Sequence, residues 1–137
     1  MGVIEELKSK KSLEEIFTTI HRNNLSLTDE EVKELQEHII KLDQRGKWCI
    51  LLAEKFPNKV DLKKIEDAVI DKDKTGQFCY ILAKNIPNVD KKRLKEAIDQ
   101  KDKTGVWKLK FDKDIKLWRK AGLYLYANYA AMNHQSG

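Results

Sequence analysis

The sequence predicts an all-α domain built from stacked helix–turn–helix repeats of about thirty residues, and three observations carry that prediction. The same letters recur at a fixed step along the chain, and sustained periods of this size mark stacked supersecondary units. Apolar residues fall three and four positions apart, with no alternating stretch long enough for a strand. Six Gly and two Pro leave little room for tight β-turns, while the abundant Lys, Glu, Leu, Ile and Ala favour helix.

Three segments align on one another. The first runs from Glu31 (EVKELQEHIIKLDQRGKWCILLAEKFPNK), the second from Asp61 (DLKKIEDAVIDKDKTGQFCYILAKNIPN) and the third from Asp90 (DKKRLKEAIDQKDKTGVWKLKF). Between the first two the step is thirty. It pairs Gly46 with Gly76, Trp48 with Phe78, Cys49 with Cys79, Leu52 with Leu82, Ala53 with Ala83, Pro57 with Pro87 and Asn58 with Asn88. Between the second and third it is twenty-nine, and KDKTG recurs whole at Lys72–Gly76 and Lys101–Gly105.

Each unit reads as two helices. In the first helix Val32, Leu35 and Ile39 recur at helical spacing, followed by Leu62, Ile65 and Val69, then Leu94 and Ile98. In the second, Trp48, Leu51, Leu52 and Phe56 form the apolar stripe, matched by Phe78, Ile81, Leu82 and Ile86. Pro57 and Pro87 close these helices, because proline disfavours helical geometry in the residue before it. Asp61 and Asp90 stand where an N-cap opens the next helix.

Both ends depart from the pattern. Leu13, Ile16, Phe17 and Ile20 make a short amphipathic helix, Asn23–Asn24 break it, and Thr28 with Glu31 forms a capping box. After Phe111 the apolar steps continue through Ile115, Trp118, Gly122, Leu125 and Tyr129, as one longer terminal helix. The expected organisation is a single domain over 1–137. Residues 1–30 are a partial or capping unit, 31–60, 61–89 and 90–111 are repeats, and 112–133 is a C-terminal capping helix.

The run LAKNIPNVDKKRLKEAI (Leu82–Ile98), followed by KDKTG, resembles short HEAT-like helical repeats of uncharacterised bacterial and bacteriophage proteins. In those an aromatic-rich helix ending in N-V-P-G precedes A-D-x-x-x-L-E-x-x-I. The resemblance covers roughly Val32 to Phe111 and implies an α-solenoid, with no activity in common. Asn58 and Asn88 stand where the related pattern has Gly, and Asn tolerates the left-handed geometry such a turn uses.

Composition bounds the chemistry. Charged residues make up 36% of the chain, mixed with enough apolar residues for a modest core. Met1 to Lys11 is too charged for a signal peptide. No stretch is apolar enough to span a membrane. Two cysteines make no disulfide framework and fit a reducing cytoplasm. Nine acids and five bases up to Glu37 leave a local charge of −4, while the remainder carries +9.

No cofactor or metal site is expected. Asp71, Asp73, Thr75 and Gly76 begin like a calcium loop, but Leu82 occupies the position that needs a bidentate Glu. A turn in which Asp73 or Thr75 caps the next helix is the better reading. Cys49 and Cys79 lie beside the apolar stripe and read as core. His21, His38 and His134 are scattered, and no catalytic motif is present, so no enzyme is expected.

The basic residues carry the functional expectation. Repeat geometry would set Lys63 beside Lys92, Lys64 beside Arg93, Lys72 beside Lys101 and Lys74 beside Lys103, with Lys91 and Lys95 extending the first row. Two positive rows would then attract an acidic protein surface or a phosphate backbone. Leu123–Met132 (LYLYANYAAM) is apolar nearly all round. It reads as a core cap or as a docking face through Tyr124, Tyr126 and Tyr129, the latter compatible with a homodimer.

Together these features predict a non-catalytic module that recognises a protein or nucleoprotein partner. A phage-encoded inhibitor of a host enzyme or defence complex, such as an anti-CRISPR protein, is one concrete version. The alternative is direct nucleic-acid binding through the lysine rows, with Trp48, Trp107, Trp118 or the tyrosines stacking on bases.

Overall fold

A computed structural model describes residues 2–120, and the side chains up to residue 117. The stretch Leu123–Met132, with Tyr124, Tyr126 and Tyr129, lies outside the described residues, as does the end of the expected helix 112–133. The described chain is all-helical. Its elements are α1 (Val3–Lys8), α2 (Leu13–Arg22), α3 (Asp29–Leu42), α4 (Lys47–Lys55), α5 (Leu62–Lys72), α6 (Gln77–Asn85), α7 (Lys91–Lys101) and α8 (Val106–Lys120). Among the described residues no helix is long and apolar enough to cross a membrane.

The helix starts follow the predicted caps. Thr28 accepts from the Glu31 amide and Glu31 returns a bond to the Thr28 amide, completing the capping box of α3. Asp61 and Asp90 accept from the Lys64 and Arg93 amides at the starts of α5 and α7. The breaks follow too: α4 and α6 end at Lys55 and Asn85, just ahead of the prolines.

Four local features differ from expectation. The N-terminal segment holds two helices, because Ile4 and Leu7 bury α1 against its neighbours. The boundary drawn at residues 111 and 112 falls inside α8, which runs unbroken through Phe111. Asn58 and Asn88 do not take left-handed geometry; among the described non-glycine residues only Asn24 does. Finally, the second helices bury Cys49, Ile50, Leu52 and Ala53, and likewise Cys79, Tyr80, Leu82 and Ala83. Trp48, Leu51, Phe78 and Ile81, placed by the sequence in the core stripe, are only half-buried.

Packing is sequential. Each helix from α3 onward contacts the next, and α4 also meets α6, α5 meets α7, and α6 meets α8. The core runs through all of these as one cluster, from Ile4 to Phe111.

Candidate functional site

Three short loops, 43–46, 73–76 and 102–105, turn the chain from one helix of a pair to the other. Each is organised by a buried aspartate. Asp73 Oδ1 accepts the Thr75 and Gly76 amides at 3.1 and 3.2 Å, and Oδ2 accepts Cys79 at 2.9 Å. Asp43 does the same for Arg45, Gly46 and Cys49. Burial alone would raise the Asp102 pKa. The amides of Lys108, Gly105 and Trp107 and the Thr104 hydroxyl outweigh it and hold the carboxyl down at about 2. The anticipated capping turn is therefore present, with Asp73 as its centre.

The glycine closing each loop has φ between +81° and +102°. At Gly46 a Cβ would lie 3.3 Å from Val69 of α5, so the loop touches the next pair directly. Lys72 reinforces the contact, donating from Nζ to the Asp43 carbonyl at 2.6 Å. The three loops thus line one edge of the molecule.

The turns 56–61 and 86–90 line the opposite edge. There Gln36 Oε1 accepts the Asp61 amide at 2.9 Å and Glu66 Oε1 accepts the Asp90 amide at 3.2 Å. Both side chains are buried, and burial raises the Glu66 pKa. An eleven-residue helix such as α5 sets the two edges about 15 Å apart.

This geometry separates the predicted lysine rows. Lys63, Lys64, Lys92 and Arg93 sit in first turns at the turn edge, while Lys72, Lys74, Lys101 and Lys103 sit at the loop edge. Several of these cations are engaged internally. Arg93 pairs with Asp67 at 2.5 Å, Lys95 with Asp99 and Asp112 at 3.3 and 3.7 Å, and Lys72 holds the Asp43 carbonyl. Lys91, placed by the sequence in the first row, is buried at 6% exposure and donates to the Ala83 carbonyl. Loss of solvent lowers its pKa to about 8. Its side chain lies too deep to meet a partner.

A different set of residues converges at the loop edge. Trp48, Phe78 and Trp107 occupy equivalent positions in the first turns of α4, α6 and α8, each half-buried. Trp48 stacks on Phe17 with centroids 5.5 Å apart, and the Lys47 ammonium lies 5.0 Å over its ring. Trp107 meets Tyr80 at 5.8 Å and carries Lys110 at 5.0 Å. Tyr80 in turn donates to Asp114, and burial together with that carboxylate pushes its pKa up to about 12. Between Trp48 and Phe78 lies a groove of about 680 Å³, also lined by Leu13, Leu42, Arg45 and Lys47. Leu42 is 50% exposed at its rim.

The sequence singled out Trp48 and Trp107 for stacking but missed the groove, together with Arg45 and Lys47. The signal was there in the recurrence of an aromatic at 48, 78 and 107, each next to a loop bearing cations.

Cys49 and Cys79 are fully buried, and burial, followed by the adjacent aspartates, pushes both thiols well above the usual range. His21 is exposed on α2, His38 lies on α3 with Nε2 buried and unpartnered, and His134 lies outside the described residues. Among the described residues no group of His, Cys, Asp or Glu is placed to hold a metal ion. Comparison with family models, curated proteins and solved structures gives no match.

Proposed function

We propose that the chain is a short HEAT-like solenoid acting as a non-catalytic binding module, and that it recognises a protein partner through its loop edge. The sequential packing and the latches repeated at Gln36 and Glu66 support the solenoid reading. The state of the tryptophan rings carries the functional one. Trp48 and Trp107 each already hold an aromatic neighbour and an ammonium against their rings. Stacking of a nucleobase needs a free ring face. Contact with an aliphatic or aromatic side chain needs only the exposed edge and the groove beside it.

The charge distribution supports the same reading. A phosphate track is read by an unbroken run of cations. Here the two rows stand on opposite edges, and Arg93, Lys95 and Lys72 are spent on internal partners.

The test is titration with single- and double-stranded DNA and RNA at low and at physiological salt. A protein-binding module shows no nucleic-acid affinity at physiological salt. Affinity that persists there with a steep salt slope would overturn the reading in favour of direct nucleic-acid binding.

A further inference from the structure

We propose that the loop edge takes an extended acidic segment of the partner, with an apolar residue at every third position and carboxylates between; this rests on the protein-binding reading above. The spacing follows from geometry. Trp48, Phe78 and Trp107 open three successive second helices, and α4 packs on α6 as α6 packs on α8. Packed helices lie about 8–10 Å apart. A chain in the polyproline II conformation advances about 3.1 Å per residue and returns every third side chain to the same face. A segment crossing the helices therefore meets a new aromatic each three residues. The groove between Trp48 and Phe78, with Leu13 and Leu42 in its walls, receives one anchor.

Charge fixes the residues between anchors. Arg45, Lys47, Lys74 and Lys103 are exposed at this edge. The loop aspartates that would offset them, Asp43, Asp73 and Asp102, are buried at 3%, 1% and 5% exposure and face inward to backbone amides. Glu14 in the groove and Asp71 are the acids that remain exposed nearby. Carboxylates on the ligand gain from this balance, and a basic ligand is repelled. The aromatic and ammonium neighbours already held by Trp48 and Trp107 favour a peptide over a stacked base at the same place.

The test uses three labelled nine-residue peptides followed by fluorescence anisotropy at physiological salt. One is LDELDELDE, with leucine every third residue. The second has the same composition with leucines at every second position, and the third is the amide counterpart LNQLNQLNQ. The first is expected to bind at least tenfold more tightly than either control. The paired substitution Arg45→Glu and Lys47→Glu, at exposed positions, is expected to remove at least tenfold of that affinity, with the helical circular dichroism unchanged. Equal binding of the two acidic isomers, no preference over the amide peptide, no binding up to about 1 mM, or an unaffected double variant would each overturn the proposal. The same protein titrated with DNA and RNA separates the two failures. Peptide failure with no nucleic-acid binding removes only the acidic segment, whereas nucleic-acid binding at physiological salt removes the protein-binding reading itself.

Discussion

Asp71 and Asp73 stand two residues apart and have opposite fates. Asp71 is exposed at the end of α5, while Asp73 is buried and saturated by three backbone amides. A carboxylate accepting several amides is stabilised as an anion, and those amides have no other acceptor once it is removed. Asp73→Ala is therefore expected to cost about 3 kcal/mol of stability, read as a lowered midpoint in urea denaturation. Asp71→Ala is expected to change stability by less than about 0.5 kcal/mol. Similar losses from both would mean that the loop is not held by its aspartate. The sequence pointed to Asp73 or Thr75 as the cap of the next helix, since the KDKTG run ends where a new apolar stripe begins. It did not show that the carboxylate is buried, because the loop is closed over by the next pair, whose Ile98 and Asp102 lie against it at Gly76.

At the level of elements, the pairs are joined by a polar latch rather than by apolar contact alone. Gln36 and Glu66 occupy the same repeat position, next to Leu35 and Ile65, and each accepts the amide that opens the next pair. One repeat thus uses the neutral side chain where the other uses an acid. Burial raises the Glu66 pKa, so the folded state holds its proton to higher pH than the unfolded chain does. The sign follows: stability falls as pH rises from about 4.3 through the folded pKa. Glu66→Gln keeps the accepting oxygen and removes the ionisation. It should match wild type in acid and equal or exceed it at neutral pH, while Glu66→Ala loses about 1–2 kcal/mol. Thermal midpoints of both proteins across that pH range are the measurement, and a Gln variant less stable than wild type at neutral pH would contradict the linkage. Neither latch was legible in the sequence, where a polar letter beside an apolar stripe looks solvated. Helix α1 was hidden for a related reason: six residues are too few to show a period, and its apolar side is recognisable only once α3 lies against it.

For the whole molecule, the fixed step made the helix pairs readable, since equivalent letters can meet equivalent neighbours only if the units repeat in space. The binding surface was less readable, because it depends on which side of each second helix the next pair covers. The core turned out to centre on Cys49, Leu52 and Ala53, leaving Trp48 and Leu51 at its margin. If stability is a sum of units and nearest-neighbour contacts, then a whole unit can be removed in register. Deleting 61–89 joins Val60 to Asp90, which brings the Asp90 amide to Gln36 in place of Asp61. It also sets Ile98 against Gly46, as Ile98 now stands beside Gly76. The contacts forfeited include those of Tyr80 with Trp107 and Asp114, of Arg93 with Asp67 and of Asn85 with Glu54. The shortened chain is expected to remain helical and to unfold cooperatively, with stability lower by about 3 kcal/mol. Circular dichroism and urea denaturation read both properties. A disordered product would mean that the helices depend on contacts no single repeat boundary contains, and the modular description of the molecule would fall with it.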